Sequence, residues 1–302
     1  MIALHALRPG HRRQPVVRSR APIPWQMRLL YALLPLLLLK PLTPEANERN
    51  SLSLAIVPQT TPLTLHRAWT PLVKHLENQT GLRIDLKLYD NISAFERALY
   101  KGTPDLVYLN PFHLVSVRPT HAYRPLVRDN ETLLSGILVV PSGGPARRVA
   151  DLHGAKLAFP SPNAFAASLY MRALLVEREG ISFTPVYLGN HENVYLQVSN
   201  GLMIGGGGVE RTLQQQNQTI SNQLRVIYRT PGVAPHPLAA HPRVPQAVGK
   251  QLTEALLALR TSEQGRRMLQ AIQMPLPVKA DFQRDYKPLQ ELKLDRYFQR
   301  QH

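Results

Sequence analysis

Cysteine is absent from this sequence of 302 residues. Its absence excludes disulfide bonds, thiolate metal sites, cysteine nucleophiles and a lipid anchor attached to cysteine. Aromatic residues (7%) and charged residues (19%) are also few, whereas hydrophobic residues make up 44% of the chain. This balance is typical of a globular protein rather than a disordered one, and the length is sufficient for two lobes that each have a core.

Acidic residues are scarce. The chain has 20 Asp and Glu against 36 Lys and Arg, which gives a formal net charge of +16. The basic residues are dispersed, with no run denser than pairs such as Arg147-Arg148 and Arg266-Arg267. Because the sequence shows neither a helix-turn-helix motif nor a basic patch interleaved with aromatic residues, we expect no nucleic-acid partner. A dispersed positive surface is compatible with steering anions towards a cleft.

A hydrophobic run long enough to cross a membrane is also missing. The apolar run at residues 29–39 is too short for a comfortable span and is typical of the core of a secretory signal. We interpret residues 1–46 as a signal peptide or, if it is not cleaved, an N-terminal anchor, and Met27 as an alternative start of translation. In either case the folded part is expected outside the cytoplasmic membrane, in the periplasm.

Strand-length apolar segments alternate with amphipathic helical segments along the rest of the chain. The first unit reads, in order, strand 51–57, a helix ending at Gly81, strand 83–89, helix 94–100 and strand 105–109. This order predicts the α/β fold class, in which a parallel sheet carries helices on both faces and binds ligands at the carboxyl ends of its strands.

The same pattern recurs in the second half of the chain. It reads strand 156–159, helix 164–179, strand 184–187, helix 192–200, helix 209–216 and strand 224–228, with C-terminal helices at 246–259 and 262–273. Two such units predict two lobes with a cleft between them. We expect residues 48–133 plus 233–302 to form the first lobe and 134–232 the second, hinged by two crossing segments that close on a ligand.

Two turns in the second unit are candidates for holding a ligand. Pro160-Ser161-Pro162 separates a strand from a helix that Asn163 is able to cap. The start of such a helix presents unpaired N–H groups, which favour an anion. The glycines at 205–208 precede another helix and predict a flexible turn that allows close backbone approach.

Five segments, taken in order, resemble one known family. They are Leu-Ala-Ile-Val-Pro at 54–58, Asp-Leu-Val-Tyr-Leu-Asn-Pro at 105–111, Asp-Leu-His-Gly-Ala-Lys-Leu-Ala-Phe at 151–159, Leu-Gly-Asn-His-Glu-Asn-Val at 188–194 and Gly-Gly-Val-Glu-Arg-Thr-Leu at 207–213. Their order and spacing resemble the phosphate/phosphite/phosphonate-binding proteins of ABC importers. The resemblance implies the type II periplasmic binding protein fold, with two lobes of mixed, mostly parallel sheet flanked by helices. It also implies a monomer that binds a small oxyanion in the cleft and delivers it to an inner-membrane permease.

The sequence departs from that family where the ligand is held. The Ser/Thr-rich turn of the family reads Ser161 to Ser168 here and has lost most of its hydroxyls. The carboxylate that usually follows the later strand is replaced by Gly205-Gly206-Gly207, whereas His191 matches the family's histidine. These departures imply an anion held chiefly by backbone N–H groups and His191, with Arg211 as a further candidate, and with a selectivity different from that of the phosphonate binders.

The candidate ligand-binding residues come from both predicted lobes. Hydroxyls, an amide, a phenol, an imidazole, a guanidinium and backbone N–H groups make up the set. Its members are Thr60, Thr61, Tyr108, Asn110, Asn163, Ala164, Ser168, His191, Gly206, Gly207 and Arg211.

Other functions remain open on the sequence. The same receptor would serve a membrane sensor kinase as well as a permease. An enzyme on this fold is disfavoured, because the chain shows no Ser-His-Asp order, no paired carboxylates in suggestive loops and no cysteine nucleophile. We expect no cofactor and no resident metal, since the remaining histidines lack the convergent spacing of a zinc site, although metal import stays open.

Overall fold

The computed structural model describes residues 51–299. The predicted signal segment at 1–46 and the alternative start at Met27 lie outside the described residues. Within the described part of the chain, no helix combines the length and apolar character needed to cross a bilayer.

Residues 51–299 contain eleven strands and nine α-helices. The strands are β1 Leu52–Ile56, β2 Ile84–Lys87, β3 Leu106–Tyr108, β4 Arg124–Asp129, β5 Gly136–Pro141, β6 Lys156–Phe159, β7 Thr184–Tyr187, β8 Gly206–Val209, β9 Leu224–Arg229, β10 Pro237–Ala240 and β11 Pro277–Lys279. The α-helices are α1 Pro62–Thr80, α2 Ile92–Tyr100, α3 Pro111–Val117, α4 Tyr170–Glu177, α5 His191–Ser199, α6 Glu210–Gln214, α7 Gln218–Ser221, α8 Gln246–Ala258 and α9 Glu263–Ala271.

The strands form two separate mixed sheets, which confirms the α/β fold class. The first has the order β11-β4-β10-β3-β1-β2, and the second has the order β7-β6-β8-β5-β9. In the first sheet β1 is parallel to β2 and β3, while β10 returns antiparallel between β3 and β4. In the second, β6 is parallel to β7 and β8, while β5 is antiparallel to β8 and β9.

The chain passes between the sheets twice, once after β4 and once after β9. These two crossing segments are bonded to each other, since Leu134 and Val233 exchange backbone hydrogen bonds of 2.8 and 3.1 Å. A paired ribbon of this kind is a suitable hinge, because a small change of backbone angles in two short segments reorients a whole lobe. We propose lobe boundaries within these segments, near residues 133 and 232.

Local sequence explains the main helix of the first lobe. Thr61 caps α1 by accepting a hydrogen bond from the Thr64 N–H, Pro62 occupies its first turn, and Gly81 ends it at a φ of 71°. Its buried residues fall on one face, as the sequence predicts, and pack over the first sheet: Leu65, Trp69, Leu72, Val73 and Leu76.

The glycines at 206–208 lie in a strand and not in the flexible turn that the sequence predicts. They form most of β8, at the centre of the second sheet. A Cβ on Gly207 would lie 1.9 Å from the backbone oxygen of Ala167, and one on Gly208 would lie 2.2 Å from the Tyr195 hydroxyl. Glycine is therefore required here because a helical turn and α5 press on opposite faces of the strand. The prediction that Gly206 and Gly207 lie in a flexible ligand-binding turn is therefore wrong, because both residues lie in β8.

Candidate functional site

A small cavity lies between the two lobes, where the ends of β1, β3 and β6 meet the starts of α5 and β10. Its volume is about 20 Å³. This is room for about one water molecule. Its polar lining consists of Gln59 and His236 near the ends of the first-lobe strands, Asn110 after β3, and His191 at the start of α5. Three of the predicted site residues line it, namely Asn110, Ala164 and His191.

The second lobe contributes a helix start to this cavity. After β6, residues Phe165–Leu169 form a π-helical turn that continues directly into α4. Ala164, Phe165, Ala166 and Ala167 line the cavity. Because the first N–H groups of a helix have no intrahelical acceptor, they are available to a ligand at this end, where the helix dipole favours negative charge.

His191 is the polar side chain that the second lobe adds. It is the first residue of α5, whose cap is Asn190, and its side chain is buried. Its Nδ1 has no hydrogen-bond partner among the described residues. Burial lowers the pKa of His191 to about 4, so the ring is neutral at pH 7 and offers one N–H donor and one acceptor nitrogen.

Gln59 and His236 complete the polar lining from the first lobe, and neither is among the site residues predicted from sequence. Their side chains approach within 3.2 Å, between Gln59 Nε2 and His236 Nε2. Burial, with a smaller contribution from the charge of Arg211, lowers the pKa of His236 to about 3. Gln59 directly precedes the predicted Thr60, but the sequence offers no signal for His236, which reaches the site only because β10 inserts beside β3.

Tyr108, a predicted site residue, supports the cavity and lies beside it. Its ring stacks on His236 with 5.5 Å between centroids and packs against Trp69 at 4.9 Å. It also lines two larger chambers, of about 260 and 500 Å³, which share Gln59 with the cavity. Burial raises the pKa of the Tyr108 phenol, so the group is a neutral donor.

Thr60 and Thr61 have different roles although they are adjacent. Thr60 is buried and lines the chamber of about 260 Å³, and its Oγ1 has no partner among the described residues. It is therefore available to a ligand that extends beyond the small cavity. Thr61 is the cap of α1, since its hydroxyl accepts the Thr64 N–H at 3.4 Å. The prediction that Thr61 donates to a ligand is not supported by this geometry.

Asn163 and Asn110 join the two lobes directly. Asn110 Nδ2 donates to the Asn163 backbone oxygen at 3.2 Å, and its Oδ1 caps α3. The Asn163 side chain donates to Glu96 Oε2 at 3.3 Å and exchanges two hydrogen bonds with the Gln299 backbone. Asn163 therefore neither caps the helix, whose cap is Ala164, nor faces the cavity, and its predicted contact with the ligand is corrected to a contact between lobes.

Ser168 and Arg211, although predicted as site residues, do not line the small cavity. The Ser168 hydroxyl donates to the Pro162 oxygen and accepts from Arg172 Nε at 3.2 Å, so it stabilises the turn. Arg211 forms an ion pair with Asp129 at 2.7 Å and donates to the Gln273 oxygen. Because Asp129 ends β4 of the first sheet, this guanidinium ties the lobes together, and it lines the chamber of about 500 Å³ and not the small cavity.

The cavity therefore offers neutral donors to a ligand. Backbone N–H groups, two uncharged imidazoles and two amides surround it, and no carboxylate is among its lining residues. In residues 51–299, no cluster of His, Asp or Glu is arranged to hold a metal ion. Such a set is suited to the oxygens of an anion, which backbone dipoles stabilise strongly when water is excluded.

The two buried histidines give the folded chain a pH dependence. Their pKa values in the folded state lie below the ordinary 6.5, so the unfolded chain takes up protons first as the pH falls. The stability is then complete above pH 6.5 and decreases towards pH 4, by about 1.4 kcal/mol per histidine for each pH unit.

His236→Gln keeps a polar partner for Gln59 but removes the titrating ring. Between pH 7 and pH 5.5 we expect the variant to lose about 1.4 kcal/mol less folding stability than the wild type. Thermal melting of both proteins at the two pH values checks this. An equal loss of stability in the variant would contradict a neutral, buried His236.

Comparison with known proteins gives one family, one relative by sequence and several solved structures with the same fold. Residues 54–286 match the family described as "ABC transporter, phosphonate, periplasmic substrate-binding protein". The phosphate-import protein PhnD of Mycolicibacterium smegmatis is 22% identical over 236 residues, which cover 68% of this chain and 70% of that protein.

Two solved structures share the fold. PhnD1 of Prochlorococcus marinus, in complex with methylphosphonate, has a TM-score of 0.74 at 17% identity, covering 82% of this chain and 98% of that one. A binding protein component of an ABC phosphonate transporter from Pseudomonas aeruginosa has a TM-score of 0.73 at 13% identity, covering 82% and 87%. The predicted two-sheet architecture is thus confirmed by shape as well as by the strand order.

Proposed function

Because the chain belongs to the family of periplasmic substrate-binding proteins of phosphonate ABC transporters, we propose that it binds a small phosphorus oxyanion in the interlobe cavity. The family consists of transport proteins and not of enzymes, and its partner is a membrane permease. The protein closes over the anion and delivers it to that permease. The choice of a permease over a sensor kinase as partner, and of a monomer as the working form, belongs to the same proposal.

One observation carries this proposal. Phe165 at the start of the helix and His191, whose buried Nδ1 has no partner among the described residues, line the same cavity. An unpaired polar atom in a buried position is destabilising unless something bonds to it. An oxyanion satisfies both groups at once, since its oxygens accept from the N–H groups and from the imidazole.

The size of the cavity implies movement. A volume of about 20 Å³ accommodates a water molecule but not a phosphonate group with its organic substituent. Binding therefore requires the lobes to separate about the paired segment at Leu134 and Val233 and to close again on the ligand. The chambers that share Gln59 provide space for the substituent.

We also propose that residues 29–39 direct export and that the mature chain begins near Asn47, which N-terminal sequencing of the exported protein would check. The family implies a periplasmic or exported location. Cleavage of the signal, and not its retention as an anchor, is part of the same proposal.

Thermal shift measurements with inorganic phosphate, phosphite and methylphosphonate test the function, with chloride and sulfate as controls. A ligand at 100 times its Kd stabilises the folded state by about 2.7 kcal/mol. This corresponds to a rise in melting temperature of about 5–10 °C for a chain of this size. Stabilisation by sulfate alone would point to a different oxyanion, and no shift with any of the phosphorus oxyanions would contradict the proposal.

A further inference from the structure

We propose that the C-terminal strap, residues 296–299, is a positioning element of the binding site. It fastens the turn at 160–164, which carries the helix start, and ties that turn to the first lobe. The inference rests on the proposed function for its effect on affinity, but its effect on the separation of the lobes is independent of any ligand.

The strap packs against the first lobe. Leu294, which precedes it, is buried, and the Phe298 ring packs against Phe112 at 5.8 Å and Tyr100 at 6.2 Å. Further back, the Tyr286 hydroxyl donates to the Pro235 oxygen at 3.0 Å. These contacts fix the last residues of the described chain on α2 and α3.

The strap also forms hydrogen bonds with the turn at 160–164 in the second lobe. The Gln299 N–H donates to Asn163 Oδ1 at 2.9 Å, and Asn163 Nδ2 donates back to the Gln299 oxygen at 2.6 Å. Asn163 is fully buried and directly precedes Ala164, which lines the cavity. Both faces of this amide are therefore engaged by the strap and by Glu96, and neither is left for a ligand.

Arg172 forms a second connection behind the turn. Its guanidinium donates to the Pro162 oxygen at 2.8 Å and to the Tyr297 oxygen at 2.9 Å, and its Nε donates to Ser168. It is 7% exposed and has no carboxylate partner among residues 51–299. The strap thus supplies a carbonyl to a buried cation whose unneutralised charge lies behind the helix start, where it favours an anion in the cavity.

The geometry makes the strap, the turn and the first lobe one unit. Asn110 of the first lobe holds the Asn163 oxygen, while the strap holds the Asn163 side chain and Arg172. If the strap is removed, the turn loses two hydrogen bonds, Arg172 loses one, and the closed arrangement of the lobes loses a bridge. Since a ligand held in a closed cleft leaves only after opening, the loss is expected chiefly in the dissociation rate.

A chain that ends at Asp295 lacks the strap and tests its effect on the affinity for the anion. With methylphosphonate and phosphate as probes, we expect the dissociation rate to rise about tenfold and the association rate to change less than twofold. The matched control is Arg267→Gln in the full chain, which removes an exposed ion pair with Glu263 within α9, away from the strap and the cavity. Such exposed pairs contribute little, so its rates should equal those of the wild type within twofold.

A second measurement needs no ligand. Because the chain lacks cysteine, labels placed by Lys74→Cys and Asn200→Cys, one exposed position in each lobe, report the distance between lobes. We expect the free shortened chain to show longer and broader distances than the free full chain. If shortening prevents folding, Asn163→Ala in the full chain serves instead, with the same expected changes.

The outcomes separate the two ideas. If the full chain binds neither probe, the proposed oxyanion function fails, while the label distances still decide the role of the strap. If the full chain binds a probe, unchanged rates in the shortened chain overturn the positioning role, and unchanged label distances overturn the bridge between lobes.

Discussion

Gly207→Ala is expected to destabilise the folded chain by about 3 kcal/mol, the upper end of what one added methyl group costs in a packed interior. The added Cβ would lie 1.9 Å from the Ala167 oxygen and 2.7 Å from the Phe159 ring. A backbone carbonyl in a helical turn cannot move aside as a flexible side chain does. The strand and the helix start must therefore separate, and the melting temperature should fall by about 6–12 °C.

Gly143→Ala is the matched control for that measurement. It is an exposed glycine of the same lobe, without a positive φ, and a Cβ there would meet nothing within 4 Å. Its melting temperature should equal that of the wild type within about 2 °C, because surface substitutions usually change stability by less than 0.5 kcal/mol. If Gly207→Ala instead kept the wild-type stability and lost anion affinity, the original interpretation of these glycines as a binding segment would be restored.

His191→Ala should weaken the binding of the best oxyanion by about tenfold to a hundredfold. A hydrogen bond to a charged group contributes about 1.5–3 kcal/mol, and every 1.4 kcal/mol changes Kd tenfold. We expect the whole of this loss in affinity because the imidazole is buried and neutral and its Nδ1 has no other partner among the described residues. Titration calorimetry of wild type and variant measures it.

Two further variants make the result specific. His66→Ala removes an exposed histidine from α1 and should leave Kd unchanged within twofold. His191→Asn keeps an N–H donor at the start of α5 and should recover part of the lost affinity. Equal affinities in wild type and His191→Ala would remove His191 from the site, and with it the main reason for placing the anion between the helix start and α5.

Local patterns in the sequence were sufficient for many of the elements, but they did not predict β4, β8, β10 or β11. The apolar face of α1, its cap at Thr61 and its end at Gly81 follow from spacing and from the residue types at its ends. The same holds for the short parallel strands β1, β2 and β3, and the family and its transport function follow from five ordered segments of the chain. Such features can be read from sequence because each depends on residues close together along the chain.

The candidate site could be predicted only in part. Asn110, Ala164 and His191 line the cavity, and each follows the end of a strand, where the α/β arrangement places ligands. Gln59 and His236 were missed because they are separated by 177 residues and meet only through the insertion of β10. The glycines of β8 were interpreted by their flexibility, whereas close packing from both faces of the sheet is what requires them.

The sequence by itself determined most of the helices, the strands with a clear apolar pattern, the absence of cysteine chemistry and the family, because these depend on composition and on short-range order. The tertiary structure alone decided the partners of the long polar side chains. Arg211 forms an ion pair with Asp129, 82 residues away, and Asn163 forms hydrogen bonds with Gln299, 136 residues away. A buried polar group bonds to whatever the fold brings within about 3 Å, and no local pattern specifies which residue that will be.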